Sequence, residues 1–312
     1  MNILFISPGN KLDYQCDCIF HGLNTLKDVT VYTLTDYTYM YEGNTSEYLR
    51  EQYGMGFTVT NRVPIEKKHI HTLAEAQENI NAHFYDVVIY GSIFRCELFL
   101  DRVLKNYSKN QVVFVDGGDH DFSLFFNKGH TKYIERQKIF FENKKKASSL
   151  FSKGIFFKRE LRKKDHKYFY PISFAISSED IVSEIPVKSI EMATIIPGEK
   201  STYIYKNEKD YYNGYKIARF GLTCKKSGWD CMRHYEILAN GCIPYFPGIE
   251  KMPPTTMINF PKEIILETNR LYESHAFTDS LYDFYSNLLL SYTREYLTTR
   301  KLAEYVLSFC GK

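Results

Sequence analysis

The sequence predicts an α/β fold in which two Rossmann-like domains face each other across a cleft, with helices at the C-terminus. Short apolar runs alternate with segments of helical length through residues 2–115. The same alternation returns, more weakly, through residues 192–246. The chain has 312 residues, which is long for one domain and enough for two domains of ordinary size.

In the first half, apolar runs predict four strands separated by helices. The strands are expected at 2–6, 29–33, 86–90 and 111–115, and the helices at 13–26, 73–83 and 95–106. Residues 36–68 are polar, aromatic and irregular, and are expected to form a long loop with some helix. This alternation indicates parallel β-α units and a doubly wound sheet.

The second half repeats the pattern with shorter runs. Strands are expected at 192–196, 218–223 and 242–246, with 264–266 as a last strand, and helices at 207–217 and 229–240. Apolar stripes at helical spacing over 281–292 and 302–309 predict two C-terminal helices that pack on the core. Residues 132–167 are dense in Lys and Arg, which is typical of a solvated face, and we place the passage between the halves there. The predicted domains are 1–165 and 166–312.

Composition excludes several classes of protein. Hydrophobic residues make up 44% and charged residues 25% of the chain, so a packed core is expected and disorder is not. The net charge of +3 argues against a general nucleic-acid coat and allows local basic patches. The seven cysteines follow no regular spacing, which favours reduced thiols and a cytoplasmic protein. No apolar run is long enough for a transmembrane helix, and the N-terminus resembles a strand rather than a secretory leader.

The segment 225–241 has the features of an anion site followed by a carboxylate. Its cations and the free N–H groups at the start of the helix attract phosphate oxygens. Glu236 lies three residues after Arg233, on the same helix face, where it can accept hydrogen bonds from a ribose diol. An ion pair between Glu236 and a neighbouring cation is the alternative. The residues predicted to bind a ligand with a diphosphate and a ribose, called the donor below, are Lys225, Lys226, Arg233, His234, Glu236 and Gly241.

An acidic loop, Asp116-Gly117-Gly118-Asp119-His120-Asp121, follows a predicted strand. The carboxyl ends of parallel strands are where α/β sheets form ligand crevices. Asp119 or His120 could act as a general base, and Asp116 could orient the loop. The alternative is a turn with Asx caps. Asp119-His120-Asp121 also matches the D-x-D pattern of metal-dependent enzymes, but such short matches arise by chance, and we expect no metal.

Four further residues could contact a ligand in the cleft. Gly9 and Asn10 lie in the turn after the first strand, which lacks the G-x-G-x-x-G dinucleotide fingerprint. Arg159, beside two phenylalanines, could reach a diphosphate, although a surface helix with salt bridges is the alternative. Asp230 is a candidate for contact with a sugar hydroxyl.

The run Arg-His-Tyr-Glu-Ile-Leu-Ala-Asn-Gly-Cys-Ile-Pro at 233–244 resembles the donor-binding signature of GT-B glycosyltransferases, in particular exostosin-type and spore-coat-type domains. The specific resemblance covers about residues 211–250. It implies that Glu236 holds the donor ribose and that Arg233, with Lys225 or Lys226, holds the diphosphate. One feature departs from the family pattern, because the second acidic residue, eight positions before Glu236, is Gly228 here.

The resemblance implies a metal-independent glycosyltransferase with an N-terminal acceptor domain and a C-terminal donor domain. A nucleoside diphosphate sugar would be the donor substrate, with no further cofactor, and the acceptor would be a hydroxyl of a glycan or other surface saccharide. Two alternatives remain open at this point. The acceptor could be a nucleic-acid base, with the basic segment 132–167 following the phosphates. The chain could also be a non-catalytic module that binds a nucleotide or a glycan.

Overall fold

A computed structural model describes residues 1–9, 11–121 and 134–311, with the backbone alone over 134–140. The fold is α/β, and it contains two separate parallel sheets followed by C-terminal helices, which confirms the predicted fold class. The described helices are α1 (Tyr14–Asn24), α2 (Ser46–Arg50), α3 (Leu73–Asn81), α4 (Leu100–Asn106), α5 (Ile134–Leu150), α6 (Glu208–Lys216), α7 (Met232–Ala239), α8 (Lys262–Glu273), α9 (Asp279–Tyr296) and α10 (Thr299–Leu307).

The first sheet is a doubly wound parallel sheet of seven strands. Its strands are β1 (Asn2–Ile6), β2 (Thr30–Thr33), β3 (His69–Ile70), β4 (Val87–Tyr90), β5 (Val112–Asp116), β6 (Ile155–Lys158) and β7 (Tyr170–Pro171). They lie in the order β3-β2-β1-β4-β5-β6-β7. β4, β5 and β6 are buried throughout, as expected for parallel strands covered on both faces. The order reverses beside β1, so a crevice is expected at the carboxyl ends near this point.

The second sheet has three parallel strands, β8 (Ile190–Met192), β9 (Ala218–Leu222) and β10 (Ile243–Tyr245), in the order β10-β9-β8. Helix α7 connects β9 to β10. Its end is a Schellman cap, because Cys242 N–H donates to the Ile237 carbonyl and Gly241 N–H to that of Leu238. Gly241 has φ +63°, a left-handed conformation that a residue without a Cβ adopts at little cost. Gly241 therefore has a structural role at the end of the helix, away from the cations at its start, and its predicted contact with the donor stays a prediction.

Two predicted elements are corrected. Residues 264–266 belong to α8, in which the buried positions Ile265, Thr268 and Asn269 recur at helical rather than alternating spacing. Phe156 and Phe157 lie in β6, a buried strand, whereas a surface helix had been the alternative for this segment. Because β6 is fully buried, its apolar run is uninterrupted and lacks the two-residue alternation that marks a half-buried strand.

The C-terminal helix packs against the first half of the chain. Gly22 in α1 lies so close to α10 that a Cβ there would come 2.0 Å from the Thr299 carbonyl oxygen. His21 Nδ1 is 2.8 Å from Thr299 Oγ1. The chain therefore returns to the first sheet's helices after completing the second sheet. The division into 1–165 and 166–312 stays a prediction, and β7 at Tyr170–Pro171 belongs to the first sheet.

Among the described residues, none of the helices combines the length and the apolar composition that crossing a bilayer requires.

Candidate active site

A cleft of about 790 Å³ lies at the carboxyl edge of the first sheet. The acidic loop 116–121 lines one wall, together with Glu160 and Arg162 from the segment after β6. Lys225, Ser227 and Trp229, from the loop that leads into α7, line another wall. The cleft therefore brings together two segments that lie about a hundred residues apart in the sequence and that were singled out independently.

Asp116 anchors the acidic loop to β6. Its Oδ2 accepts a hydrogen bond from Lys158 Nζ at 2.7 Å, and both side chains are buried. Its Oδ1 accepts a hydrogen bond from Gly118 N–H at 3.0 Å. Lys158 Nζ also donates to the His120 carbonyl oxygen at 2.6 Å. These contacts suit the orienting role predicted for Asp116, since its carboxylate is engaged inside the loop.

The other two acids of the loop each face an arginine. Arg159 donates to Asp119 Oδ1. Arg162 donates to Asp121 Oδ2 through Nε at 2.9 Å and Nη2 at 2.7 Å. Because the two carboxylates of the D-x-D pattern are bound by different guanidinium groups, they do not converge on one point. Within residues 1–9, 11–121 and 134–311, no three His, Cys, Asp or Glu side chains form a group that could hold a metal ion.

His120 differs from its acidic neighbours. It lines the cleft and is half-buried. Its backbone carbonyl is fixed by Lys158, which holds the residue in place. In the part of the chain that the structure describes, no hydrogen-bond partner is found for its imidazole ring. The ring is therefore the group of this loop best placed to exchange a proton with a ligand.

Arg159 is a buried residue that connects the two walls of the cleft. It donates through Nε to the Gly117 carbonyl at 2.9 Å and through Nη1 to the Asp230 carbonyl at 2.7 Å. Its guanidinium lies 4.4 Å from the centre of the Phe174 ring. The surface helix with salt bridges is therefore wrong, whereas the contact of Arg159 with a diphosphate stays a prediction. The side chain is only 2% exposed, and a buried cation needs the internal acceptors that it has here.

Glu160 is a site residue that the sequence did not reveal. Its Oε1 accepts hydrogen bonds from the N–H groups of Trp229, at 2.9 Å, and Asp230, at 3.0 Å. A Cβ at Gly228 would lie 2.5 Å from the same oxygen. In the sequence pattern that this segment resembles, position 228 is an acid; here a carboxylate from the first half of the chain occupies the adjacent space. The local signal for this residue is that charged residues directly follow the buried strand β6 at the carboxyl edge of the sheet.

Asp230 lies behind the cleft wall rather than in it. Its Oδ2 accepts from Phe174 N–H at 2.8 Å, and its Oδ1 accepts from the Tyr235 hydroxyl at 3.0 Å. Burial raises the pKa of this carboxyl from 3.8 to about 7. The side chain is buried and both of its oxygens are used inside the protein, an arrangement that does not favour the predicted contact with a sugar hydroxyl.

His234 is part of the core and does not belong to the anion site. Its Nε2 donates to the Trp229 carbonyl at 2.8 Å, so Nδ1 accepts from the Thr223 hydroxyl at 2.8 Å. The ring stacks on Phe246 with centroids 4.7 Å apart. Burial lowers the pKa of His234 to about 3, so it is neutral near pH 7 and offers no charge to a phosphate. This arrangement does not favour the predicted role of His234 as a ligand of the donor.

Arg233 and Lys226 form a cationic cluster beside the cleft, at the start of α7. Both approach the hydroxyl oxygen of Tyr203, Arg233 Nη2 at 3.2 Å and Lys226 Nζ at 3.3 Å. Gly198 N–H donates to the same oxygen at 3.1 Å. Lys225 lies in the cleft instead, with its ammonium 5.6 Å from the centre of the Trp229 ring. The three predicted cations therefore lie in one segment, Lys225 and Lys226 in the loop before α7 and Arg233 in its first turn.

Glu236 is 5% exposed and each of its carboxylate oxygens accepts a hydrogen bond from a hydroxyl. Thr58 Oγ1 donates to Oε1 at 2.5 Å, and the Tyr211 hydroxyl donates to Oε2. Burial raises the pKa of Glu236 above its usual range, whereas these two hydrogen bonds and Arg233 act in the opposite direction. Its predicted alternative, a direct ion pair, is not formed with Arg233 or a lysine among the described residues.

The segment that supplies Thr58 is conformationally strained. Thr58 has φ 65° and Val59 has φ 67°, left-handed values that β-branched residues rarely adopt. Each such residue costs about 1–3 kcal/mol and persists only when its surroundings hold it. Here the contacts come from the other half of the chain, since Thr58 N–H donates to Glu208 Oε1 at 2.6 Å and Phe57 stacks on Tyr211.

The turn after β1 holds the remaining predicted contacts. Gly9 is buried with φ +85°, and a Cβ there would lie 3.2 Å from that of Thr35. Asn10 lies outside the described residues.

No protein-family model matches the chain, and no curated protein matches it. Among solved structures, it is similar to an alpha-glucosyltransferase in complex with UDP and a 13-mer DNA containing a HMU base. That similarity has a TM-score of 0.47 at 11% identity and covers 100% of this chain and 99% of the other. The chain is also similar to Anabaena HepE in complex with UDP and glucose, with a TM-score of 0.44 at 10% identity over 99% of this chain and 98% of that one.

Proposed function

We propose that the protein is a GT-B glycosyltransferase that moves a sugar from a nucleoside diphosphate sugar to a hydroxyl acceptor. The observation that carries the proposal is the shared cleft, in which the acidic loop of the first sheet faces the cationic loop before α7. Acceptor activation and donor binding need opposite kinds of groups, and the two walls supply one kind each. The cleft volume of about 790 Å³ is within the range of sites that bind small molecules.

The donor would bind along the start of α7. Arg233 and Lys226 converge on one oxygen, Tyr203 Oη, which is the geometry that a phosphate oxygen requires. Lys225 extends the positive charge into the cleft. The N-terminus of the helix adds its dipole to this field. Glu236 lies one turn further along the same helix and would hold the ribose diol.

The acceptor would lose its proton to His120. In an inverting transfer, the hydroxyl oxygen attacks the anomeric carbon, the bond from that carbon to the diphosphate breaks, and the imidazole takes the hydroxyl proton. Asp119 is the other candidate base, but Arg159 already binds its carboxylate, so one of its oxygens is engaged inside the protein. The negative charge that develops on the leaving diphosphate would be stabilised by Arg233 and the two lysines.

We propose that this transfer needs neither metal nor a further cofactor. The support is the set of fixed cations beside the cleft, which can neutralise the diphosphate where other enzymes use a divalent ion. Activity should persist after dialysis against EDTA, and complete loss restored by Mg²⁺ or Mn²⁺ would contradict this part of the proposal.

The acceptor class is proposed as a carbohydrate, with nucleic acid as the second candidate. Nucleic acid is favoured by the exposed side chains of Lys153, Lys163 and Lys167, which come from the segment flanking Arg162 at the cleft. Binding to duplex DNA that weakens steeply as salt rises would support that candidate. Transfer to oligosaccharides at physiological salt, without DNA binding, would support the carbohydrate.

A screen of UDP-, GDP-, ADP- and CMP-sugars by thermal shift tests the proposal as a whole. The cognate donor should raise the stability by about 2.7 kcal/mol at a hundredfold excess over its dissociation constant. Release of nucleoside diphosphate from that donor, slow without acceptor, would then distinguish an enzyme from a non-catalytic binding module. If no sugar nucleotide changes the melting temperature, the proposal is wrong.

A further inference from the structure

Two side-chain hydroxyl groups lie against the residues that we propose bind the diphosphate and the ribose of the donor. The first belongs to Tyr203, a residue with 39% of its surface exposed. Its oxygen is approached by Arg233 Nη2, Lys226 Nζ and Gly198 N–H at 3.1–3.3 Å. Both cations also lie within 6 Å of the centre of its ring, Arg233 at 5.6 Å and Lys226 at 5.8 Å. Three donors around one oxygen are the arrangement of a phosphate site, and here a tyrosine oxygen fills it.

The second hydroxyl belongs to Thr58 and satisfies the carboxylate of Glu236. Together with the Tyr211 hydroxyl, it gives this carboxylate one O–H donor on each oxygen. A ribose 2′,3′-diol would offer the same pair of donors. Thr58 reaches this place on a strained segment from the first half, whereas Tyr211 belongs to α6 and lies in the core beside the second sheet. Of the two, Thr58 therefore holds the more strained position.

We infer that the protein occupies its own donor site, with Tyr203 in the place of a diphosphate oxygen and Thr58 in the place of a ribose hydroxyl. This inference rests on the proposed function and adds that two side chains compete with the donor for its binding residues. Binding of the donor displaces both side chains, and each displaced hydrogen bond subtracts from the donor's affinity. Tyr203 and Thr58 thereby set the donor affinity without contacting the reacting atoms.

The two side chains compete with different parts of the donor, which allows separate tests. Tyr203→Phe removes the hydroxyl and keeps the ring on a surface segment, so the variant should fold as the wild type does. Inorganic pyrophosphate is the probe for the cationic cluster. It should bind Tyr203→Phe about three- to tenfold more tightly than the wild type, the net effect of removing one competing hydrogen bond. Tyr205→Phe is the matched control, because this neighbouring ring contacts Tyr211 rather than the cations, and it should leave the affinity unchanged.

Thr58→Val removes the second hydroxyl and keeps the branched shape. UDP, GDP and ADP are the probes, each compared with its 2′-deoxy form, by calorimetric titration. The nucleotide that binds the wild type should bind Thr58→Val more tightly, by about the same factor, while its 2′-deoxy form and pyrophosphate should not change.

The outcomes separate this inference from the proposed function. Tighter pyrophosphate binding by Tyr203→Phe supports the inference at the phosphate place, even if no nucleotide binds and the proposed function fails. If a nucleoside diphosphate binds the wild type but binds Tyr203→Phe equally or less tightly, Tyr203 is no competitor. The inference is then overturned while the proposed function stands. Failure of pyrophosphate to bind either protein also overturns it.

Discussion

The carboxylate of Glu160 and the backbone of Gly228 are in such close contact that any side chain at position 228 would have to displace that carboxylate. A Cβ there would come 2.5 Å from Glu160 Oε1 and 3.2 Å from Asp119 Oδ1. Glu160 belongs to the segment after β6 and Gly228 to the loop before α7, so this contact joins the two walls of the cleft. The acid that the family pattern has at position 228 would place a further negative charge against two existing ones.

Gly228→Ala should destabilise the protein because the added methyl group must displace Glu160. The loss should be about 1–3 kcal/mol in urea unfolding, as for other overpacked sites. The double variant Glu160→Ala/Gly228→Ala removes the obstacle, so the effect of the glycine substitution should be smaller in that background. Additive effects in the double-mutant cycle would show that the two residues do not interact in solution.

The buried pair of Asp116 and Lys158 should contribute strongly to the free energy of unfolding, because it joins the carboxyl ends of β5 and β6. Asp116→Asn leaves a buried ammonium without its carboxylate, and we expect a loss of about 3–5 kcal/mol by chemical denaturation. Glu304→Gln, which breaks exposed pairs with Arg300 and Lys301, is the control and should cost less than about 1 kcal/mol. Similar losses of unfolding free energy for both variants would show that the pair of Asp116 and Lys158 is not a strong buried ion pair.

Asp230 should make stability depend on pH. Because burial raises its pKa from 3.8 to about 7, the folded state retains a proton between these values that the unfolded state releases. Stability from this group is present below pH 4 and is lost as the pH rises to 7. Asp230→Asn removes the titrating carboxyl, while all other titratable groups are present in both proteins. Between pH 5 and 8 the wild type should lose about 2–3 kcal/mol relative to the variant. Parallel stability curves would contradict the shift.

His120→Ala should lower kcat by about 10²- to 10⁴-fold, the usual contribution of a general base, and should leave donor affinity unchanged. Asp119→Asn is the matched comparison, since it alters the neighbouring residue and weakens the contact with Arg159. We expect a smaller loss of kcat for this variant. A larger loss for Asp119→Asn than for His120→Ala would transfer the base assignment to Asp119.

Local sequence patterns predicted most of the fold and part of the site. The apolar runs that form β1, β2, β4 and β5 are short and end at turn residues, so their length and their boundaries were sufficient to predict them. The acidic loop was found because polar residues directly follow such a strand. β6 was missed because it ends in a charged residue, Lys158, and continues into Arg159, a pattern that resembles a solvated surface. In the structure they are buried and paired with the acidic loop.

Long-range contacts explain what the sequence could not predict. The partners of Glu236 are Thr58, 178 residues away, and Tyr211, and no local pattern indicates either contact. His234 has the residue type of a phosphate ligand, but the helix face that carries it is turned toward Phe246 and the core. The helix was therefore predicted correctly, while the direction of its side chains depended on packing that only the fold defines.

The most direct test of the central claim is the binding of UDP, GDP and ADP to the wild type and to Arg233→Met by isothermal titration. Methionine keeps much of the length of the arginine and removes the charge that we assign to the diphosphate. The account predicts that one of these nucleotides binds the wild type and that Arg233→Met binds it at least about tenfold more weakly, with the fold unchanged. Equal affinity for both proteins, or no binding of any of the three to the wild type, would contradict the claim that this helix forms a donor site.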